Sequence, residues 1–361
     1  MNRRRIQEAV VKLAVPLEPG ETPSTPPLRG EELEATLGLA RETAVHPVVA
    51  HALLCGSAAL PQTKLLRQAR ELRDEAVFRE LSQRRFLRRV LDALRETGIE
   101  SPMLLKGAAL RETLYPEPWM RCMDDVDLLV REDESARAVR ALSTIGLKER
   151  AYSTSRSATE QAWHSRTLIA PSGGTRVDLH TCPARPGRFF VDGSELRKKA
   201  VLIKIDGRAA STPSAEHMLV LLAIHQAELG GRGSWKRFVD LSLLMKRRDL
   251  QWTLVVETAR SWGARGAVAS MLGLLEHATG QSPPNDAIAH LSSSSPRQLL
   301  LRRLVAPEPG ELFTSRPLDR GTSLLLAYWL PDRRVDRVRF AFRYGFLRVL
   351  DIAERFRHTK S

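Results

Sequence analysis

The sequence predicts an α+β fold: a small sheet with helices before it and a helical domain after it. Three observations predict this. Apolar residues recur at helical spacing before residue 98, short strand-like runs alternate with helical ones from residue 102 to about 205, and helical periodicity dominates after residue 214. With 361 residues the chain is long enough for two or three structural units and a substantial core.

The first thirty residues read as a basic tail and a linker. Met1 to Arg5 is basic, and Gln7, Glu8 and Lys12 interrupt what would otherwise be the apolar run of a signal peptide. Pro16, Pro19, Pro23, Pro26 and Pro27, with Gly20, Ser24 and Gly30 among them, predict an extended linker, so folding is expected to begin near Glu31. Residues 31–98 predict helices. Leu65, Leu66, Ala69, Leu72, Ala76, Leu87, Val90, Leu91 and Leu94 fall on one helical face, and Gly98 ends the helix. The arginines Arg84, Arg85, Arg88 and Arg89 between them read as a solvated face.

Residues 99–210 form the predicted core unit. Pro102 to Leu105 reads as a short buried strand, Lys106-Gly107 as a turn, and Ala108 to Leu114 as the first turns of a helix. The run MRCMDDVDLLV then places Asp125 and Asp127 at the start of a strand that continues as Leu128, Leu129 and Val130. A helix at Ser135 to Thr144 follows, then strands near Ser165 to Ile169, Thr175 to His180 and Val201 to Ile205. Residues 211–361 predict a helical domain, with a loop at Ser292 to Pro296 and a last amphipathic basic region from Asp332 to His358. The glycine-rich Gly230 to Gly233 follows a helix and reads as a flexible loop that moves over the site. No internal repeat at a solenoid period occurs.

The chemistry concentrates in the core unit. Residues i and i+2 of a strand share a face, so Asp125 and Asp127 project side by side, and Asp178 on a later strand is expected beside them. Clustered carboxylates repel and raise each other's pKa unless protons or cations compensate them, and a divalent metal is the expected compensator. By alternation Asp124 points away from that pair and His180 points with Asp178. Gly107 lets a ligand approach the backbone closely, and the helix N-terminus behind it offers free amides and positive dipole to phosphate. Lys106 is placed to add a phosphate contact. A salt bridge to Asp124 is the structural alternative for Arg121.

A glycine turn, an Asp-x-Asp at a strand and a third aspartate on a later strand make up the layout of the nucleotidyltransferase superfold that includes DNA polymerase beta. More closely, LLKGAAL, LYPEPWMRCMDDVDLLV and RVDLH resemble the bacterial family of uncharacterised nucleotidyltransferases called NTP transferase type 5, with weaker traces in RETGIESPMLLKG, PSAEHMLVLLAIHQAE and WKRFVDLSLLM. The resemblance implies a small mixed-sheet nucleotidyltransferase core. It also implies transfer of a nucleoside monophosphate from an NTP, ATP by default, with two magnesium ions, or manganese, held by Asp125, Asp127 and Asp178. Lys106, Gly107, Ala108 and Arg121 then bind nucleotide, and His225, Lys236 and Asp240 match family-like positions that reach nucleotide or acceptor from the helical domain. Where the superfold commonly has serine after the glycine this chain has Ala108, and Asp124 stands where it often has serine.

Composition narrows the remaining choices. The net charge of +14 favours a polyanionic or nucleotide ligand and equally fits a general bias towards arginine. The separated Cys55, Cys122 and Cys182 form no zinc-spaced cluster and fit a reducing, cytoplasmic compartment; no apolar run is long enough to span a bilayer. No G-x-S-x-G elbow, GxGxxG fingerprint or Walker-type loop occurs. The acceptor is expected to be a small molecule or peptide. A tRNA-modifying or toxin-like enzyme and an inactive nucleotide- or nucleic-acid-binding module stay open.

Overall fold

Seven strands and the helices around them are seen in a computed structural model that describes residues 3–14, 28, 30–55, 63–150, 165–170, 173–185, 188–292, 295–305, 311–313, 318–342 and 345. The strands are β1 (Met103–Leu105), β2 (Asp125–Leu129), β3 (Lys148–Glu149), β4 (Ser165–Ile169), β5 (Arg176–His180), β6 (Val201–Ile205) and β7 (Arg208–Thr212). They form one mixed sheet in the order β3-β4-β5-β2-β1-β7-β6. The pairs β2–β5 and β1–β7 are parallel and the others antiparallel. The expected α+β architecture with a mixed sheet is therefore present.

The N-terminal region differs from expectation. Residues Arg3–Ala14 form a helix, α1, that buries Ile6, Ala9, Val10, Leu13 and Ala14. Packed apolar residues at this spacing make it part of the fold and not a tail, although its arginines disguise it in composition. It packs on α2 (Gly30–Glu42) and α3 (His46–Cys55). The expected proline-rich linker falls mostly outside the described residues, as does the end of the last basic region. The long helix α4 (Thr63–Glu96) carries the predicted apolar stripe, with Leu87, Val90, Leu91 and Leu94 all buried. Its arginines are not simply solvated: Arg84 bonds Glu80, Glu112 and Asp206.

After the sheet's first strand comes α5 (Lys106–Thr113), followed by α6 (Ser135–Thr144) and α7 (Gly193–Lys198). The helical half begins with α8 (Ala215–Glu228), whose N-cap Ser214 side chain accepts from the His217 amide. Then come α9 (Lys236–Lys246), α10 (Trp252–Ser261) and α11 (Arg265–Thr279), which ends on Gly280 with φ +75°. Short helices α12 (Asn285–Leu291), α13 (Pro296–Val305) and α14 (Arg320–Trp329) follow. Among the described residues no helix is long and apolar enough to cross a membrane.

One face of β2 and β5 belongs to the core. Val126, Val177, Leu128 and Leu179 are all essentially inaccessible, each contributing ~1.5–3 kcal/mol by burial. The alternate residues face the other way, and apart from Leu129 they are polar: Asp125, Asp127, Arg176, Asp178 and His180.

Candidate active site

The parallel register of β2 and β5 sets Asp127 opposite Asp178 and Asp125 opposite Arg176. Leu105 of β1 lies opposite Asp127 on its other side, and Thr167 of β4 lies opposite Asp178. A row of side chains, Leu105, Asp127, Asp178 and Thr167, thus crosses the sheet on one face. This face floors a cavity of about 380 Å³ whose opposite wall comes from α8 and α9. Asp125, Asp127, Asp178, His180, Lys106, Gly107, Arg121, His225 and Lys236 all line it. Tertiary structure brings together residues more than a hundred positions apart.

Each carboxylate has a partner. Lys106 Nζ donates to Asp127 Oδ1 at 2.8 Å, and His180 Nε2 lies 2.9 Å from the same oxygen. Arg176 donates to Asp125 at 2.8 Å and stands 3.6 Å from Asp178, which also accepts from the Thr167 hydroxyl at 2.7 Å. The consequences diverge along one strand. Burial works against ionising Asp127, but Lys106 and His180 outweigh it and hold the carboxyl far below the usual range. Burial pushes Asp125 up, and the charges of Asp127 and Asp178 add to the rise despite Arg176. Excess negative charge at Asp125 and an all-carboxylate donor set fit a hard divalent cation. The carboxylate oxygens are nevertheless engaged by protein cations and a hydroxyl. Among the described residues no group of three or more His, Cys, Asp or Glu is gathered as a metal cluster.

The strand-to-helix junction departs from the expected turn. The helix starts at Lys106 itself, directly after β1, and Lys106 takes the left-handed conformation at φ +49°. A non-glycine residue held there stores strain on the order of 1 kcal/mol. Gly107 does not supply the positive φ. A Cβ on it would stand 3.6 Å from the Arg121 guanidinium, an ordinary contact, so the protein by itself has room for alanine. The Ala108 side chain is buried in the core and does not line the cavity, which leaves only its backbone amide, in the first turn of α5, for the nucleotide contact expected of it.

Two further assignments change. Asp240 is fully buried and lies outside the cavity; it receives Arg121 Nε and Nη2, both at 2.7 Å, and the Tyr115 hydroxyl at 2.7 Å. It therefore contacts Arg121 and not nucleotide. Arg121 in turn has its charge answered, and its predicted partner Asp124 is taken by Lys236 at 2.7 Å. Asp124 precedes the strand, so alternation does not govern it, and it lines the cavity instead of pointing away. Lys236 and Asp240 sit one turn apart on α9, and together they grip residues 121–124 from the helical side. His225, beside Lys106 in the wall, is kept neutral: burial drives its pKa well below 6.5, and Lys106 lowers it further.

Sequence reasoning missed Arg176, Arg185 and Arg237 in the cavity wall. Arg176 had a signal, because it stands two residues before Asp178 on the same strand face. Arg185 pairs with Glu228 at 3.6 Å. The Arg237 side chain makes no hydrogen bond or ion pair among the described residues.

A family described as uncharacterised nucleotidyltransferase matches residues 30–280. Searches of curated proteins and of solved structures return no match. The family match spans well over half of the chain and takes in every residue of the cavity floor and wall named above, and the protein belongs to this family of nucleotidyltransferase enzymes.

Proposed function

We propose that this enzyme carries out magnesium-dependent transfer of a nucleoside monophosphate from an NTP, ATP by default, to a hydroxyl or phosphate of a small-molecule or peptide acceptor. The observation that carries the reading is the placement of Asp127 and Asp178 in register, with Asp125 on the same sheet face, at the floor of a cavity lined by cations. At about 380 Å³ the cavity is within the size range of small-molecule sites, which favours a compact acceptor.

In this reading an acceptor oxygen attacks the α-phosphorus, the bond from that phosphorus to the bridging oxygen breaks, and pyrophosphate leaves with the electron pair. Asp125, Asp127 and Asp178 would hold magnesium, which when bound draws charge from phosphate oxygens and acidifies the acceptor. Lys106 and the free amides at the start of α5 hold the β- and γ-phosphates in line for attack. Asp178, on the floor beside Asp127, takes the acceptor's proton. His225, uncharged, walls the site without adding to its positive field.

Calorimetric titration of each NTP with magnesium, into the wild-type protein and the Asp125→Asn/Asp127→Asn variant, tests this. Magnesium-dependent binding in the wild type that the variant loses, followed by pyrophosphate release with a compact acceptor, supports the reading. Absence of NTP binding with and without candidate acceptors would sink it. Affinity that falls steeply with salt and requires RNA would replace the small acceptor with a polynucleotide.

A further inference from the structure

We propose that Arg237 is the anchor for the donor's polyphosphate and that the glycine-rich segment before α9 exists to seat it. This rests on the nucleotidyl-transfer reading above and adds the residue that first meets the anion.

Six arginine and lysine side chains line the cavity, and five of them are committed to carboxylates. Lys106 is held by Asp127, Lys236 by Asp124, Arg121 by Asp240, Arg176 by Asp125, and Arg185 by Glu228. The Arg237 guanidinium lines the same cavity and, among the described residues, forms no hydrogen bond or ion pair; only the Arg237 backbone amide is engaged, donating to Ser234 O at 3.2 Å. A planar guanidinium with its donors unused is suited to grip two phosphate oxygens at once. Its surroundings also favour an incoming anion. Burial lowers its pKa, and the Arg121 charge lowers it further, so a bound phosphate would relieve a cost the empty wall carries.

The segment Gly230 to Gly233 explains how Arg237 is placed. Although its composition predicts a flexible loop, it is braced by hydrogen bonds and close packing. The Gly231 amide donates to Gln226 O at 3.0 Å, and Gln226 Nε2 donates to Arg232 O at 3.0 Å. Ser234 Oγ donates to Thr43 O at 2.7 Å, and a Cβ on Gly230 would meet Leu318 at 2.9 Å. Gly233, at φ +109°, leaves its Cβ position empty where Arg237 Nη1 would stand only 2.9 Å away. The missing side chain lets the guanidinium lie where it does. The first turn of α9, whose N-cap Trp235 supplies no side-chain cap, begins at the same place.

The test titrates inorganic tripolyphosphate without metal, and each magnesium-NTP, into wild type, Arg237→Gln, Arg237→Lys and Gly233→Ala. Because the Arg237 side chain holds no partner among the described residues, Arg237→Gln is expected to keep the wild-type melting temperature. It should weaken tripolyphosphate and NTP binding alike, by roughly 10- to 100-fold. Arg237→Lys should recover part of the loss, and Gly233→Ala should reproduce it with the arginine present. Wild-type affinity for both ligands in Arg237→Gln overturns the proposal, as does a variant that changes only the acceptor KM. Tripolyphosphate binding that depends on Arg237 in a protein that binds no NTP keeps the anion anchor and removes the nucleotide reading. No binding of either ligand to the wild type overturns both.

Discussion

Two ion pairs, each with one member between residues 121 and 127, are put to opposite uses. Arg121–Asp240 is sealed: both side chains are almost inaccessible, the guanidinium is matched bidentately, and Tyr115 satisfies the carboxylate further. Lys106–Asp127 opens onto the cavity, shares its carboxylate with His180, and is anchored on a strained lysine backbone. The first pair couples the helical half to the segment ahead of the acids. The second neutralises a carboxylate in a place where a ligand can compete for the lysine. The charges are the same; what differs is whether the pair faces solvent and whether each partner has a second one.

The largest effect expected from breaking this contrast is at Asp240. Asp240→Asn leaves the Arg121 guanidinium buried without its countercharge, and chemical denaturation should show a loss of ~3–5 kcal/mol. A loss under 1 kcal/mol would mean that the sealed pair is not structural.

Neighbouring acids on β2 should then respond with opposite signs. Asp127→Asn strips Lys106 and His180 of their partner and should cost ~1–3 kcal/mol, whereas Asp125→Asn relieves repulsion and should leave stability equal or higher. Melting temperatures at pH 7 without added metal check this, and both variants are expected to lose NTP-dependent pyrophosphate release. The pH dependence follows the same signs. The folded pKa of Asp127 is depressed, so its contribution is present above the unfolded value, about 3.9, and is lost as pH falls through the folded value. The folded pKa of Asp125 is raised, so its contribution is present below about 3.9 and is lost as pH rises. Asp127→Asn should therefore flatten the acid limb of a stability profile, and Asp125→Asn should not.

The smallest expected stability change is at Gly107. Alanine meets Arg121 only at contact distance, so Gly107→Ala should alter folding by under ~1 kcal/mol and yet weaken NTP binding if phosphate approaches the backbone there. Unchanged NTP affinity in a folded Gly107→Ala protein would remove the glycine from the phosphate site.

Much of this was legible in the chain. The period-two alternation of DVDLL and RVDLH reports strands with one apolar and one polar face, and that is enough to place Asp125, Asp127, Asp178 and His180 on a common surface once the strands pair. The stripe of α4 was legible for the same reason, since one periodic face must be buried. What misled were signals carried by composition. Arginines made α1 look like a tail although its apolar spacing is helical, and the glycines of residues 230–233 gave no sign of the hydrogen bonds made by the amides of Gly230, Gly231 and Arg232.

The sequence by itself determined the α+β class, the strand faces and the identity of the acids, because these follow from local periodicity and from the repulsion that clustered carboxylates must resolve. Only the tertiary structure decided which cation answers which acid. It matched Asp240 with Arg121 and Lys236 with Asp124, withdrew Ala108 into the core, and left Arg237 unpaired in the cavity wall. Pairing depends on distances of a few ångströms between elements that are over a hundred residues apart, and no local pattern encodes those distances.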